Sequence, residues 1–439
     1  MSTQLISPGH ARHLDIRCTV EDVALSNVAI HVVFFFDRRL DAGALADSFA
    51  RALTNLPVFA GRLALVGGTL RLRCTGQGAP FTVASSGQTL SRAIRSVSES
   101  DGGWLIDAVN GPTARWGFGP LCRVRVTHLA DDATAIGFSW HHTIGDMQTA
   151  MHFMNAWAAT AADRPLAEPV IVEDRVAYLD AQLPAGGARE PGVRCLGFAE
   201  TARSLVSMAR NWRTLRTWTA YFSDDEIAGL RQECGTARRV SVNDVVCAQV
   251  AEALMTADSA VNHRVLALAV NVRNRLGLDP MLVGNIVTAL NVELRRGEPA
   301  PAIAERIRHD ANDFVAEHCD MRANQQFLDD VGAWRGTRCV AKSFNPDRWN
   351  PVISNWSGFG VYRIGFEGTA TCYFAPVLQI PFAGFGVFVE GADGRGLVFQ
   401  MALPPKDFQA MSSPAVRDRL HRFRRADDDG SRLQREVHG

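Results

Sequence analysis

The sequence predicts an α/β (or α+β) chain built from two domains, each a mixed β-sheet flanked by helices. Three observations carry this reading. Short runs rich in β-branched and aromatic residues, such as "AIHVVFFFD" (29–37) and "VLALAV" (265–270), alternate with amphipathic segments of helical period. The chain has 439 residues, 47% of them hydrophobic, which exceeds one core, since single cores stop growing near about 250–300 residues. Residues 164–216 are rich in Pro, Gly and Arg and interrupt the alternation midway, as a crossover would. The boundaries that follow are a domain at 1–170, a crossover linker at 171–216, a domain at 217–422 and a polar tail at 423–439.

Taken in order, 29–37 reads as a buried strand. "DAGALADSFARALTNL" (41–56) is a helix with Asp41 as N-cap and Leu45, Phe49, Ala52 and Leu53 on one face. "RLALVGGTLRLRC" is a hairpin turning at Gly67-Gly68, and "CRVRVTHLADDATAIGFSW" is a second, turning at Asp131-Asp132. A helix follows at 147–162, its Met147, Met151, Met154 and Ala158 at core spacing. In the second half, Ser223 opens a helix with Glu226 at the capping-box position, and Ser241 or Asn243 caps the next. "RVLALAVNVR" is a strand, "PAIAERIRHDANDFVAEHC" a helix, and "TATCYFAPVL" a further strand. The last pair, around "GADGRG", is a hairpin.

Lys+Arg and Asp+Glu both total 46, so no global field favours nucleic acid or an anionic membrane. Only Lys342 and Lys406 are lysines, which removes most phosphate-binding or Schiff-base lysines. Nine cysteines without a C-x-x-C read as buried free thiols of a reducing compartment. The first residues lack the apolar core of a signal peptide, and no apolar run nears the roughly 20 residues of a membrane span. The expectation is a soluble cytoplasmic monomer without nucleic-acid or membrane partners.

H-x-x-x-D occurs three times: His128/Asp132, His142/Asp146 and His309/Asp313. Spacing alone cannot choose among them. Asp132 falls in a turn, where it caps backbone amides. His309 and Asp313 fall one turn apart on a helix surface, an ordinary solvated pair. In "SWHHTIGDMQTAMHF" (139–153) the histidines end a strand, Asp146 starts a helix, and Gly145 lies between. A strand-to-helix turn presents side chains to a cleft, so a neutral-pH general base is one reading. An aspartate cap beside a buried histidine is the other. His141 and His142 are adjacent and face opposite sides, so at most one meets the cleft. H-E-x-x-H, a Walker A loop and G-x-S-x-G are absent, and no cluster completes a metal site with His142 and Asp146.

"HHTIGD" resembles the H-H-x-x-x-D signature of the BAHD acyl-CoA-dependent acyltransferases. "LPVFAGRL" (56–63), "CTGQGAPF" (74–81), "FSDDEIAGL" (222–230) with "SVNDVVCA" (241–248), "VNVRNRLGLDPMLVGN" (270–285) and "SNWSGFGVYRIGF" (354–366) are similar to further family segments, in order along nearly the whole chain. The resemblance implies two domains of chloramphenicol-acetyltransferase-like topology, joined by a crossover, with a channel between them. It implies an acyltransferase of specialised metabolism that takes acyl-CoA as co-substrate, with no permanently bound cofactor, and acylates a small alcohol or amine. His142 would be the base. Asp146 would keep the turn's shape by pairing with Arg273 or Arg275, with Gly145 supporting the turn. Trp356 and Ser354 match positions that resemble oxyanion donors. Arg238, Arg239, Ser241 and Asn285 would meet the cofactor. One departure stands out: the family's D-F-G-W-G appears as "IGFEG" (364–368), without its Asp and Trp. An acyl donor tethered to a carrier protein, a non-catalytic metabolite binder and a hydrolase stay open as alternatives.

Overall fold

The computed structural model describes residues 1–425 except 185–186, 189, 236–239, 337 and 346. Two six-stranded mixed sheets organise them. The first runs Ser2–Ile6, Ala79–Ser85, Cys122–His128, Thr134–His141, Ala29–Phe36, Tyr373–Pro376, with only the Ala79–Ser85/Cys122–His128 pair parallel. The second runs Arg216–Phe222, Leu397–Leu403, Phe385–Glu390, Val352–Asn355, His263–Asn271, Val287–Arg295, with Val352–Asn355 parallel to both its neighbours.

Among the helices that pack on each sheet, one is buried along most of its length. Met147–Ala161 lies over the first, where Phe49, Phe138, Phe153 and Trp157 pack ring against ring at 5.0–6.5 Å between centroids. The methionine stripe is core: Met147, Met151 and Met154 are all buried. Val242–Ala257 lies over the second, buried along most of its length and opened by Ser241, not Asn243, in a capping box with Asp244. The Asp41 cap, the Ser223/Glu226 capping box and the hairpins predicted from local chemistry are all present.

Three local expectations change. Amide capping near the 131–132 turn falls to Asp131, which accepts from Leu90 N, while Asp132 takes a left-handed φ of 56°. His128 is buried with Nε2 on the Leu40 carbonyl. The predicted helix over 301–319 ends at Asn312 and continues as a wider turn over Phe314–His318, because Phe314 is buried under the Arg275 guanidinium. The strand expected in "TATCYFAPVL" leaves its sequence neighbours: Tyr373–Pro376 pairs with Ala29–Phe36 and so extends the first sheet. The seam between the two sheets is where the candidate site lies.

Candidate active site

The turn after Thr134–His141 is built by two histidines with opposite surroundings. His141 is sealed. Its Nδ1 accepts from Thr143 N at 3.2 Å, so Nε2 carries the proton and faces the Ser26 carbonyl at 3.0 Å. Burial holds this imidazole neutral, with a pKa lowered to about 4. His142 opens a single turn of 3₁₀ helix over His142–Ile144, anchored by its N–H on Val28 O at 3.0 Å. The chain can then close tightly because Gly145 has no side chain: a Cβ there would stand 2.6 Å from Thr149.

The protonation of His142 follows from its partners. Asn285 Nδ2 lies 2.8 Å from Asp22 Oδ1 and 2.7 Å from His142 O, both acceptors, so that end is the NH₂. Asn285 Oδ1 therefore faces His142 Nδ1 at 2.9 Å, and Nδ1 must be the donor. Nε2 is left as the unprotonated nitrogen. Desolvation lowers the imidazole's pKa, against smaller raising effects of its hydrogen bonds. Behind Asn285, Asp22 is fully buried and held by Thr19 N at 2.9 Å and Arg175 Nη1 at 3.1 Å.

Asp146 caps the Met147–Ala161 helix through Thr149 N at 3.0 Å and accepts Ile286 N at 3.1 Å. Arg273 grips it in a fork, at 2.7 and 3.1 Å, while donating to the carbonyls of Leu282 and Gly284. Both oxygens of Asp146 are thus engaged away from the imidazole. Arg275, the other arginine considered for this pairing, donates to Ala311 O at 2.6 Å. Gly284 holds φ +144°, a region open to glycine, where a Cβ would press on Arg175 at 3.1 Å.

His142 borders a cavity of about 530 Å³ between the sheets, with walls from both sheets and from residues 192–211 of the crossover. Ser354 and Trp356 stand in the same wall, and the indole N–H donates to Ser354 Oγ at 2.9 Å. Phe382 and Phe385 line this cavity, whereas Phe34, Phe36 and Phe388 belong to the cores.

Of the residues expected on the cofactor, Ser241 caps its helix and stays half-buried. Arg238 and Arg239 lie outside the described residues. Asn285 is placed differently from expectation: it is 1% exposed, with both ends of its amide spent on His142 and Asp22, so it stands behind the imidazole rather than on a ligand. "IGFEG" is remote from the cavity. It forms a small hairpin in which Phe366 packs on Phe36 and Trp157, and Glu367 accepts Asp41 N at 2.7 Å. No pattern in the sequence marks Asp22 and Arg175 as supports. Thr19 and Asp22 form a capping box, a signal of a helix start only. Among the described residues, no three metal-ligating side chains cluster, and no helix is long and apolar enough to cross a membrane.

This geometry can be set beside known proteins. The chain is 32% identical over 159 residues to putrescine hydroxycinnamoyltransferase 2 of Oryza sativa subsp. japonica, covering 33% of this chain and 49% of that one. It is 27% identical over 246 residues to anthranilate N-benzoyltransferase protein 3 of Dianthus caryophyllus, covering 54% and 53%. These alignments span about half the length of each relative. The crystal structure of vinorine synthase superposes with a TM-score of 0.72 at 18% identity, over 93% of this chain and 95% of that one. That of F. graminearum TRI101 with coenzyme A and deoxynivalenol gives 0.72 at 12% identity, over 93% and 99%. Both share the two-sheet, chloramphenicol-acetyltransferase-like fold. The Transferase family matches residues 1–415, and with that span the chain belongs to this family, the BAHD acyltransferases.

Proposed function

We propose that this protein transfers an acyl group from acyl-CoA to the hydroxyl or amine of a small specialised metabolite, with His142 as general base. The observation that carries this reading is the forced Nδ1–H tautomer of His142 beside a cavity reaching both sheets. In the proposed step, Nε2 takes the acceptor's proton as its oxygen or nitrogen attacks the thioester carbonyl. The tetrahedral oxyanion meets the Ser354 hydroxyl. Because Trp356 N–H already occupies a lone pair of Ser354 Oγ, the hydroxyl proton is free to turn toward that oxyanion. The C–S bond then breaks, and the imidazolium returns its proton to the departing thiolate. Ester or amide and free coenzyme A leave. Asp146 and Arg273 hold the turn and touch no reacting atom.

The relatives support the reaction class. TRI101 was crystallised with coenzyme A, and the named relatives transfer acyl groups. On the donor side, the helix start at Ser241, next to Arg238 and Arg239, is the proposed phosphate contact. The decisive experiment measures thiol release and acyl product from purified wild type and His142→Ala across alcohols and amines. The variant is expected to lose about 10²–10⁴-fold in kcat with its fold intact. Full activity in the variant overturns the assignment. Supplying the same acyl group on a carrier protein instead of coenzyme A decides which donor is used.

A further inference from the structure

The chemistry outside the catalytic turn is concentrated at one pair of thiols. Val193–Cys195, in the crossover, pairs antiparallel with Cys339–Ala341, and Cys195 stands directly opposite Cys339. Leu196 N donates to Arg338 O at 3.0 Å, and Lys342 N to Gly192 O at 2.7 Å. Hydrogen-bonded positions alternate along an antiparallel ladder, so 195/339 falls at a non-hydrogen-bonded position. There facing Cα atoms come to about 4.5 Å and side chains are closest. That spacing lies within the range disulfides span. The two Sγ atoms are already 3.2 Å apart. Cys195 is half-buried and open to small reagents, while Cys339 is buried.

We propose that Cys195 and Cys339 are a reversible redox pair, which a hydroperoxide converts to a disulfide joining the crossover to the strand after residue 338. The Cys195 thiolate attacks the terminal peroxide oxygen, the O–O bond breaks, and Cys195 becomes a sulfenic acid while the other oxygen takes a proton and leaves as the alcohol, or as water when the oxidant is hydrogen peroxide. The Cys339 sulfur then attacks the Cys195 sulfur. The S–S bond forms, the S–O bond breaks, and the departing hydroxide leaves as water with the Cys339 proton. Two thiols are oxidised by two electrons in total, and one hydroperoxide is reduced. Burial pushes the Cys339 thiol up to about 12, which suits it to the second, resolving step rather than the first.

The ribbon matters to the cavity. Val193 with the adjoining Gly192 on one side, and Val340 and Ala341 on the other, line its wall. A disulfide across this ribbon ties two parts of the wall that are 144 residues apart in sequence. Closing so long a loop restricts the unfolded chain strongly.

The test treats the full chain with hydrogen peroxide, blocks remaining thiols with N-ethylmaleimide, and maps non-reduced peptides by mass spectrometry. The expected product is one peptide pair linking Cys195 to Cys339, with seven of the nine cysteines alkylated and complete reversal by dithiothreitol. Oxidised wild type is expected to unfold at a temperature several degrees higher, and Cys195→Ser abolishes this rise. Cys339→Ser is expected to stop at a sulfenic acid on Cys195 that dimedone traps. If either variant fails to fold, the peptide map of the wild type decides alone. Independent alkylation of both cysteines after peroxide, over-oxidation at Cys195, or a different cysteine pair overturns the proposal.

Discussion

At the residue scale, His141 and His142 are chemically identical and differ in what surrounds them. His141 spends both nitrogens on backbone groups, whereas His142 keeps one nitrogen uncommitted because Asn285 takes the other. Burial lowers the His142 pKa, so the base stays neutral below the ordinary histidine range. The logarithm of kcat/KM is therefore expected to stay level through neutral pH and to fall only below about pH 6.5. An acid limb centred above that value would contradict the assignment. Asn285→Ala removes the group that fixes the tautomer. We expect kcat to drop by up to about 10²-fold while KM changes little; equal changes in both would mean Asn285 acts in binding instead. Glu21, next to Asp22, carries a second consequence of burial, its carboxyl being raised from 4.5 to about 8. As pH rises from about 4.5 to about 8, the unfolded chain gives up this proton before the folded one, so stability is lost over that window. Glu21→Gln is therefore expected to gain thermal stability over wild type progressively across it, and a pH-independent difference would refute the shift.

At the scale of elements, the motif is a strand, a tight turn and a helix locked by one ion pair. The Asp146–Arg273 fork is buried on both sides and surrounded by backbone acceptors. Breaking such a pair leaves an uncompensated charge, so Asp146→Ala is expected to cost about 3–5 kcal/mol. Adding Arg273→Met should cost less than the sum of the single changes, as measured by a double-mutant cycle in denaturant. Strict additivity would mean the two do not act as a unit. Elements are also where the sequence was most legible. The caps at Asp41, Ser223 and Ser241, and the hairpins at 67–68 and 131–132, follow from residues within a few positions of one another. The end of the helix at Asn312 was not legible, because burial of Phe314 beneath Arg275 is a tertiary event.

At the scale of the whole molecule, the halves are bound to each other by more than contact. Tyr373–Pro376 adds an edge strand to the first sheet, and Asn285 and Arg273 reach across to Asp22 and Asp146. Heat is thus expected to unfold both sheets in one calorimetric transition, and residues 1–216 alone should not fold stably. Two resolved transitions would show independent domains. By itself, the sequence determined the local elements, the strand-to-helix setting of "HHTIGD" and, through its ordered segments, the family, since each rests on short-range periodicity or on residues a few positions apart. Only the tertiary structure decided that Arg273 rather than Arg275 holds Asp146, that Asn285 stands behind His142, and that Trp356 is bonded to Ser354. The reason is physical. Asp146 and Arg273 are 127 residues apart, and Asp22 and Asn285 are 263 apart. Which side chains meet over such separations is set by strand register and sheet packing, which no local pattern encodes.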